Sequence, residues 1–595
     1  MAEYQPPLDD INFTLNHIAG LEEVSKLNGF QHADPTTVAG LLEEAARFFS
    51  EVIAPLNRIG DTQGSVLTED GVKTPDGFKE AYLKYVEAGW HGAHLPEEWG
   101  GGGLPYTVGI VIQEMFKTAN MAFSLCPMLT SSGVEAILHH GSTDIKETFL
   151  ENMVTGQWTG TMCLTEPEAG SDVGALRTRA EPAGDGTYRL FGTKIFITWG
   201  DHDLTENTIH LVLARTPGAA PGTKGISMFV VPKYLLNPDG SVGAMNDVKI
   251  VSLEHKLGIH ASPTCVVSLG DSGDGAIAYL LGEEQEGMAN MFTMMNLARV
   301  GVGIEGLAIG EGAYQQAVTF ARERLQGRPI GAPATEKVPI IEHPDVRRML
   351  LTMRAHNEAM RSLLYLTARY GDEERHGETE EIRRFSGERV ALLTPIVKAW
   401  CTDIGVEMAS LGIQVHGGMG YIEETGAAQY YRDARIAPIY EGTNGIQAID
   451  LVLRKLPLGD GEVLRGLLSE IEETAAELKG KDSLTGFSTN LSEAVEATAE
   501  VSAWLGARLA EGDLQSALAG ATPYLRLMGT IIGGWLMGKG ALAAAASLDA
   551  GTADTKFLNG RIVTARFYGE QILPTALGLV GAVTAGPELL DTATF

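Results

Sequence analysis

The hydrophobic period of this chain changes twice, and that order limits the fold more than any other feature. From about residue 36 to 155 apolar residues recur at helical spacing. "DPTTVAGLLEEAARFFSEVIAPLNRIG" opens on Asp and Thr cap candidates and stops near Pro and Gly. Between about 158 and 285 the chain breaks into short β-rich runs separated by Gly, Pro and Asp turns. These are Ile209–Arg215, Gly225–Val231, Val248–Leu253, Cys265–Asp271 and Ala276–Gly282. From about 286 the period is helical again, beginning with "MANMFTMMNLARVGVGIEGLAIGEGAYQQAVTFARERL", a segment so rich in small and apolar residues that it reads as a helix buried on several sides. "LPLGDGE" (Leu456–Glu462) reads as a linker to a last, Ala-rich helical region. The expected fold is α+β and multidomain. It has an N-terminal helical domain (36–157), a central antiparallel β-barrel domain (158–285), a helical bundle (286–454) and a further helical domain (462–595).

Charge and cysteine usage exclude several functions. A formal charge of −31 argues against a nucleic-acid partner, whose affinity comes largely from Lys and Arg. Cys126, Cys163, Cys265 and Cys401 are scattered, without a CxxC pair or Cys/His cluster, which implies reduced thiols and no zinc site. "MAEYQPPLDD" has no basic start and no apolar stretch of signal-peptide type, so a cytoplasmic location is expected. The apolar run Leu527–Gly538 is twelve residues long, whereas a membrane-spanning helix needs about twenty. It reads as a buried, Gly-rich helix with no membrane role.

Three stretches carry candidate chemistry. "MCLTEPEAGSDVGAL" (Met162–Leu176) runs from a strand into a loop of hydroxyl and acid groups. "LFGTKIFITWGDHDL" (Leu190–Leu204) ends a strand on Thr198 and Trp199. "IYEGTNGIQ" (Ile439–Gln447) sets one carboxylate, Glu441, between an apolar pair and a Gly-Thr-Asn-Gly turn. Taken alone, each has an ordinary reading: a strand-to-turn connection, core packing, and a solvated loop acid.

Together they resemble the acyl-CoA dehydrogenase family. Cys163-Leu164-Thr165-Glu166, Ala169-Gly170-Ser171-Asp172 and Ala175 fit its first signature position by position. Gln414, Gly417-Gly418, Gly420, Tyr421, Glu424 and Asp433 fit the second. "PEEWGG", "KLGIHASPT" and "ARERLQGRPIG" are further landmarks in the expected order. Two departures stand out: Gln429 where the family usually has Lys or Arg at a surface contact, and His260 where many members have Arg. The match covers about residues 40–453. The C-terminal extension is similar to that of long bacterial members acting on 3-(methylthio)propanoyl-CoA or on a broad range of fatty acyl-CoA thioesters.

The resemblance implies FAD as cofactor, lying between the β-domain and the helical bundle. Met162, Leu164 and Thr165 would line the ring, with Gly170 and Ser171 at the phosphates, Ser171 towards flavin or CoA. Phe196 and Thr198 would cover the other flank. Arg324 and Gln326 would approach the adenine half, as would Gln414, Gly417 and Gly418 from a neighbouring subunit of a homodimer or homotetramer. It also implies Glu441 as the base that removes the α-proton of an acyl-CoA, with its own backbone N–H among the donors to the thioester oxygen. Gly442 would lie at the substrate, Thr443 at the flavin and Arg299 near the base. Hydride would pass to flavin N5, giving a trans-2-enoyl-CoA, and an electron-transfer flavoprotein would take the electrons. Burial beside the acyl chain would suit Glu441 to general-base work. An acyl-CoA oxidase shares the fold and is the nearest rival reading. A non-catalytic, DNA-associated relative would need a basic tail, yet residues 461–595 hold sixteen acids and nine bases.

Overall fold

A computed structural model describes residues 4–331, 337–551 and 554–595. The chain forms two compact units. One comprises residues 47–104 and 115–301, the other 4–46, 105–114 and the described residues from 302 to 595.

The first unit holds helices α1 (Phe78–Glu87), α2 (Met121–His140) and α3 (Thr143–Val154) and an eight-stranded sheet. The strands are β1 (Trp158–Cys163), β2 (Arg179–Pro182), β3 (Tyr188–Thr198), β4 (Asn207–Ala214), β5 (Ser227–Pro232), β6 (Val248–Leu253), β7 (Thr264–Leu269) and β8 (Ala276–Leu281). Their order is β6-β7-β3-β8-β5-β4-β1, with β2 against β3. All eight residues of β4 and all six of β5 are buried, which is why they read as largely apolar runs, while in β6 at the edge only Val248 is buried. The expected antiparallel barrel is corrected here in two respects. The sheet is an open path, and it is mixed, because β1 runs parallel to β4 (Trp158 opposite Asn207, Cys163 opposite Val212). Partner direction is set by tertiary packing and leaves no mark on a run such as "WTGTMC". A two-stranded hairpin, Val66–Thr68 with Gly71–Lys73, also lies within the N-terminal region, where only helices and loops were expected.

The second unit is helical: α4 from residue 302 onward (the helix spans Gly287–Glu323), α5 (Pro344–His376), α6 (Glu380–His416), α7 (Asn444–Asp450), α8 (Glu462–Lys479), α9 (Thr485–Ala510) and α10 (Ala521–Asp549). The small residues of α4 have a packing reason. A Cβ on Gly306 would lie 2.0 Å from Cys401 O, and one on Gly405 would lie 2.6 Å from Gly306 Cα, so α4 and α6 touch backbone to backbone. A buried network ties the bundle together. Arg361 donates to Glu114 (2.7 and 2.9 Å) and Glu311 (3.2 Å), and Tyr365 donates to Glu114 at 2.5 Å.

The twelve-residue apolar run belongs to the 29-residue α10, because the flanking Ala and Leu extend the helix. By length and composition α10, α2 and α4 could each cross a membrane. Yet 61%, 89% and 78% of their apolar windows are packed inside the protein. The expected linker contains Gly459, Asp460 and Gly461, all in left-handed conformation, a turn that stops one helix before α8 begins.

Candidate active site

The candidate residues fall into two groups, one on each unit. On the first unit the loop after β1 is stapled to β3. Lys194, fully buried in β3, donates to Leu164 O (3.0 Å) and to the Glu166 carboxylate (2.7 Å). The same carboxylate accepts Arg177 N (2.6 Å), Thr178 N (3.0 Å) and Thr178 Oγ1 (2.5 Å), folding residues 166–178 back on themselves. Burial pushes the Glu166 carboxyl up, but Lys194 and these donors outweigh it and hold it below the usual range. Thr165 O accepts Ile195 N at 2.9 Å, and Thr161 Oγ1 donates to Thr198 O at 2.6 Å, so Thr165 and Thr198 are carried on paired segments.

Two aromatic residues of this segment have positive φ, Phe196 at +58° and Trp199 at +52°. Bulky side chains rarely adopt that region, and such strain persists only where the surroundings enforce it. Trp199 is held by its N–H to Pro263 O (2.8 Å) and its Nε1–H to Ala122 O (3.1 Å), and is buried. Phe196 is turned out of the core and is 59% exposed. Leu164, Thr165 and Thr198 are half-buried, Gly170 and Ser171 are exposed, and Met162 is buried in β1. An exposed aromatic ring on a strand that carries Thr198 and is bonded to Thr165 fits a flat aromatic ligand with a polar edge, as a flavin is. Arg299 is buried on α4, its guanidinium carbon 5.8 Å from the centre of the Phe292 ring. His260 lies 3.1 Å from Asp61 and is partnered within this unit.

On the second unit Glu441 has φ +56° and Gly442 φ +81°, two successive left-handed residues. The loop around them is clamped. Buried Gln447 donates to Gly442 O (3.2 Å) and Glu441 O (3.4 Å), and Tyr440 Oη donates to Glu305 at 2.5 Å. Asn444 accepts from Lys398 Nζ (2.8 Å) and donates to Asp403 (2.7 Å). Thr443 Oγ1 accepts Ile446 N at 3.4 Å and caps α7. Glu441, Gly442 and Thr443 are half-buried, while Arg324, Gln326, Gln414, Gly417 and Gly418 are exposed. Gln429, where the family usually has Lys or Arg, is buried and its amide donates to Asp433 of its own helix at 3.4 Å. Among the described residues no cluster of His, Cys, Asp and Glu could hold a metal ion, and the four cysteines are buried and free. Sequence reasoning missed Lys194, Gln447 and Glu305. Lys194 sits among alternating strand residues and the other two look like ordinary helix polars, so only their bonds reveal them.

Comparison with known proteins settles the family. The acyl-CoA dehydrogenase N-terminal, middle and C-terminal domains match residues 38–157, 161–272 and 285–456, and residues 467–592 match the domain described as acetyl-CoA dehydrogenase C-terminal like. The chain is 47% identical over 571 residues to 3-methylmercaptopropionyl-CoA dehydrogenase of Ruegeria pomeroyi, covering 96% of each.

The chain belongs to the acyl-CoA dehydrogenase family.

It is therefore an oxidoreductase of a family whose members are FAD flavoproteins, with FAD as its cofactor. It is also 33% identical to the broad-specificity linear acyl-CoA dehydrogenase FadE5 of Mycobacterium tuberculosis, over 96% of each chain. An acyl-CoA dehydrogenase from Bacillus anthracis, solved as a complex with FAD, shares the fold. Its TM-score is 0.72 at 22% identity, covering 98% of this chain and 92% of that one.

Proposed function

We propose that this chain dehydrogenates a short acyl-CoA thioester across its α and β carbons, with Glu441 as the base. Bound FAD supplies the acceptor for the β-hydrogen and its electron pair. The α C–H bond breaks towards the Glu441 carboxylate, which takes the proton, while the electrons of that bond become the new C=C bond. The product is a trans-2-enoyl-CoA. The backbone N–H of Glu441 supports the thioester oxygen as charge builds on it, a contribution of about 3 kcal/mol for one well-aimed donor. Phe196, Thr165 and Thr198, with Leu164 and Met162, would hold the flavin ring, and Ser171 and Gly170 would serve the phosphates. Arg324, Gln326, Gln414, Gly417 and Gly418 are the proposed contacts of the adenine half, the last three in a second copy of the chain. Their exposure supports that reading, as does Tyr421 beside them at 86% exposure.

The observation that carries the proposal is where the backbone is strained. Seven described non-glycine residues have positive φ, and two of them, Phe196 and Glu441, are residues whose side chains the reaction needs at the ligand. The relative acting on 3-methylmercaptopropionyl-CoA supports that thioester, or an unbranched acyl group of similar length, as substrate, and an electron-transfer flavoprotein is the proposed acceptor. Anaerobic titration with acyl-CoAs from butanoyl to hexadecanoyl, plus 3-(methylthio)propanoyl-CoA, tests this. Prompt loss of the oxidised flavin absorbance with the short and methylthio thioesters is expected. A flavin unaffected by every thioester would overturn it, and bleaching by hexadecanoyl-CoA alone would overturn the substrate class.

A further inference from the structure

Glu305 lies on α4 with no exposure to solvent, among the buried apolar residues Ile304, Leu307 and Ala308. A carboxylate in such surroundings is costly unless it is bonded. Its Oε2 accepts the hydroxyl of Tyr440 at 2.5 Å, and Tyr440 is the residue before Glu441. Burial and the adjacent Glu305 carboxylate keep the Tyr440 phenol protonated well above its ordinary range, so the hydroxyl is the donor. On the far side of Glu441 the loop is held by Gln447 and Asn444. The near side is held by the Tyr440 hydroxyl and by the Tyr440 backbone N–H, which donates to Ile436 O at 3.2 Å; of the two, only the hydroxyl bond reaches another helix. Without that anchor, Glu441 could relax from φ +56°, which a non-glycine residue adopts only under constraint.

We propose that Glu305 is a positioning residue for Glu441: by accepting the Tyr440 hydroxyl it anchors the chain before the base and fixes where the carboxylate points. The inference rests on the reading of Glu441 as base. It assigns Glu305 no contact with substrate.

The test is anaerobic stopped-flow reduction of the FAD-loaded enzyme by an acyl-CoA that bleaches it, with Glu305→Leu, Tyr440→Phe, the double variant and Glu305→Gln. A base displaced by about 1 Å costs roughly 10²-fold in rate, so each of the first two should slow reduction by about that factor. The half-saturating thioester concentration should move by less than about threefold, because binding is untouched. The double variant should be no slower than the worse single one, since both break the same contact. Glu305→Gln, whose amide oxygen still accepts the phenol, should recover at least about tenfold over Glu305→Leu. If Glu305→Leu fails to retain FAD, Tyr440→Phe, which keeps the ring, carries the test. Rates within about threefold of wild type, multiplying losses in the double variant, or no rescue by Gln would each overturn the proposal. Glu441→Gln run in parallel separates the two readings. Fast reduction in that variant sinks the base assignment itself. Slow reduction there with fast Tyr440→Phe sinks only the positioning role.

Discussion

Replacing Lys194 with Met removes one of the four donors on the Glu166 carboxylate and leaves that charge inside the protein. Breaking a buried ion pair from one side costs about 3–5 kcal/mol. Here Arg177 N, Thr178 N and Thr178 Oγ1 stay bonded, so the loss should be nearer 2–4 kcal/mol. That energy holds residues 166–178 closed. At 1.36 kcal/mol per decade, amide exchange at Arg177 and Thr178 should therefore accelerate by about 30- to 1,000-fold. Hydrogen–deuterium exchange of the peptide spanning 164–180 reads this directly, and retention of FAD should fall with it if the proposed contacts at Thr165 and Ser171, which lie on the same loop, hold the cofactor. Glu166→Gln combined with Lys194→Met leaves no unpaired charge and should recover at least half of the loss. The folded Glu166 is held below its ordinary range. The stabilisation is therefore present above the unfolded carboxylate pKa and is lost as pH falls through the lower, folded one. Exchange changed by less than about threefold in Lys194→Met would refute the reasoning.

Other consequences follow from single features. His91, His202 and His210 are buried neutral, each with its pKa pushed down from 6.5 to about 4 by burial. Each therefore stabilises the fold above pH 6.5 and loses that as pH falls towards 4. Denaturant unfolding followed by tryptophan fluorescence should show about 2 kcal/mol lost per histidine between pH 7 and 5, and a flat profile would contradict it. Gly529→Ala would put a Cβ 2.2 Å from Trp400 Cγ. Overpacking of about 3 kcal/mol or more should outweigh the roughly 1 kcal/mol gained in helix propensity, so thermal unfolding should shift down. An unchanged melting profile would mean that α10 simply moves aside. Gln447→Leu removes both amide contacts to the Glu441 loop. Flavin reduction should slow by about 10- to 100-fold with FAD content unchanged, and wild-type kinetics would show that the loop holds itself.

How much of this was legible in the sequence depends on distance along the chain. The Glu441 loop could be singled out because Tyr440, Glu441, Gly442 and Thr443 are adjacent and match a family element, although taken alone they read as a solvated turn. What holds it could not, because Glu305 and Lys398 lie 136 and 43 residues before Glu441 and look like any helix polar. The strands beginning near 209, 227, 248, 265 and 276 were visible from their period and turns. The parallel pairing of β1 with β4, and the open sheet, were not, since neither strand records its neighbour's direction. The small residues of α4 pointed to burial on several sides, but that Gly306 meets Gly405 of α6, where nothing larger fits, is visible only in the structure.

The most direct test of the central claim is single-turnover flavin reduction by an acyl-CoA deuterated at the α-carbon, in wild type and in Glu441→Gln. The wild-type enzyme should show a primary isotope effect. The variant, still loaded with FAD and still binding thioester, should be slower by about 10²–10⁴-fold, the usual contribution of a positioned base. A Glu441→Gln enzyme that reduces its flavin within about tenfold of the wild-type rate would place the base elsewhere.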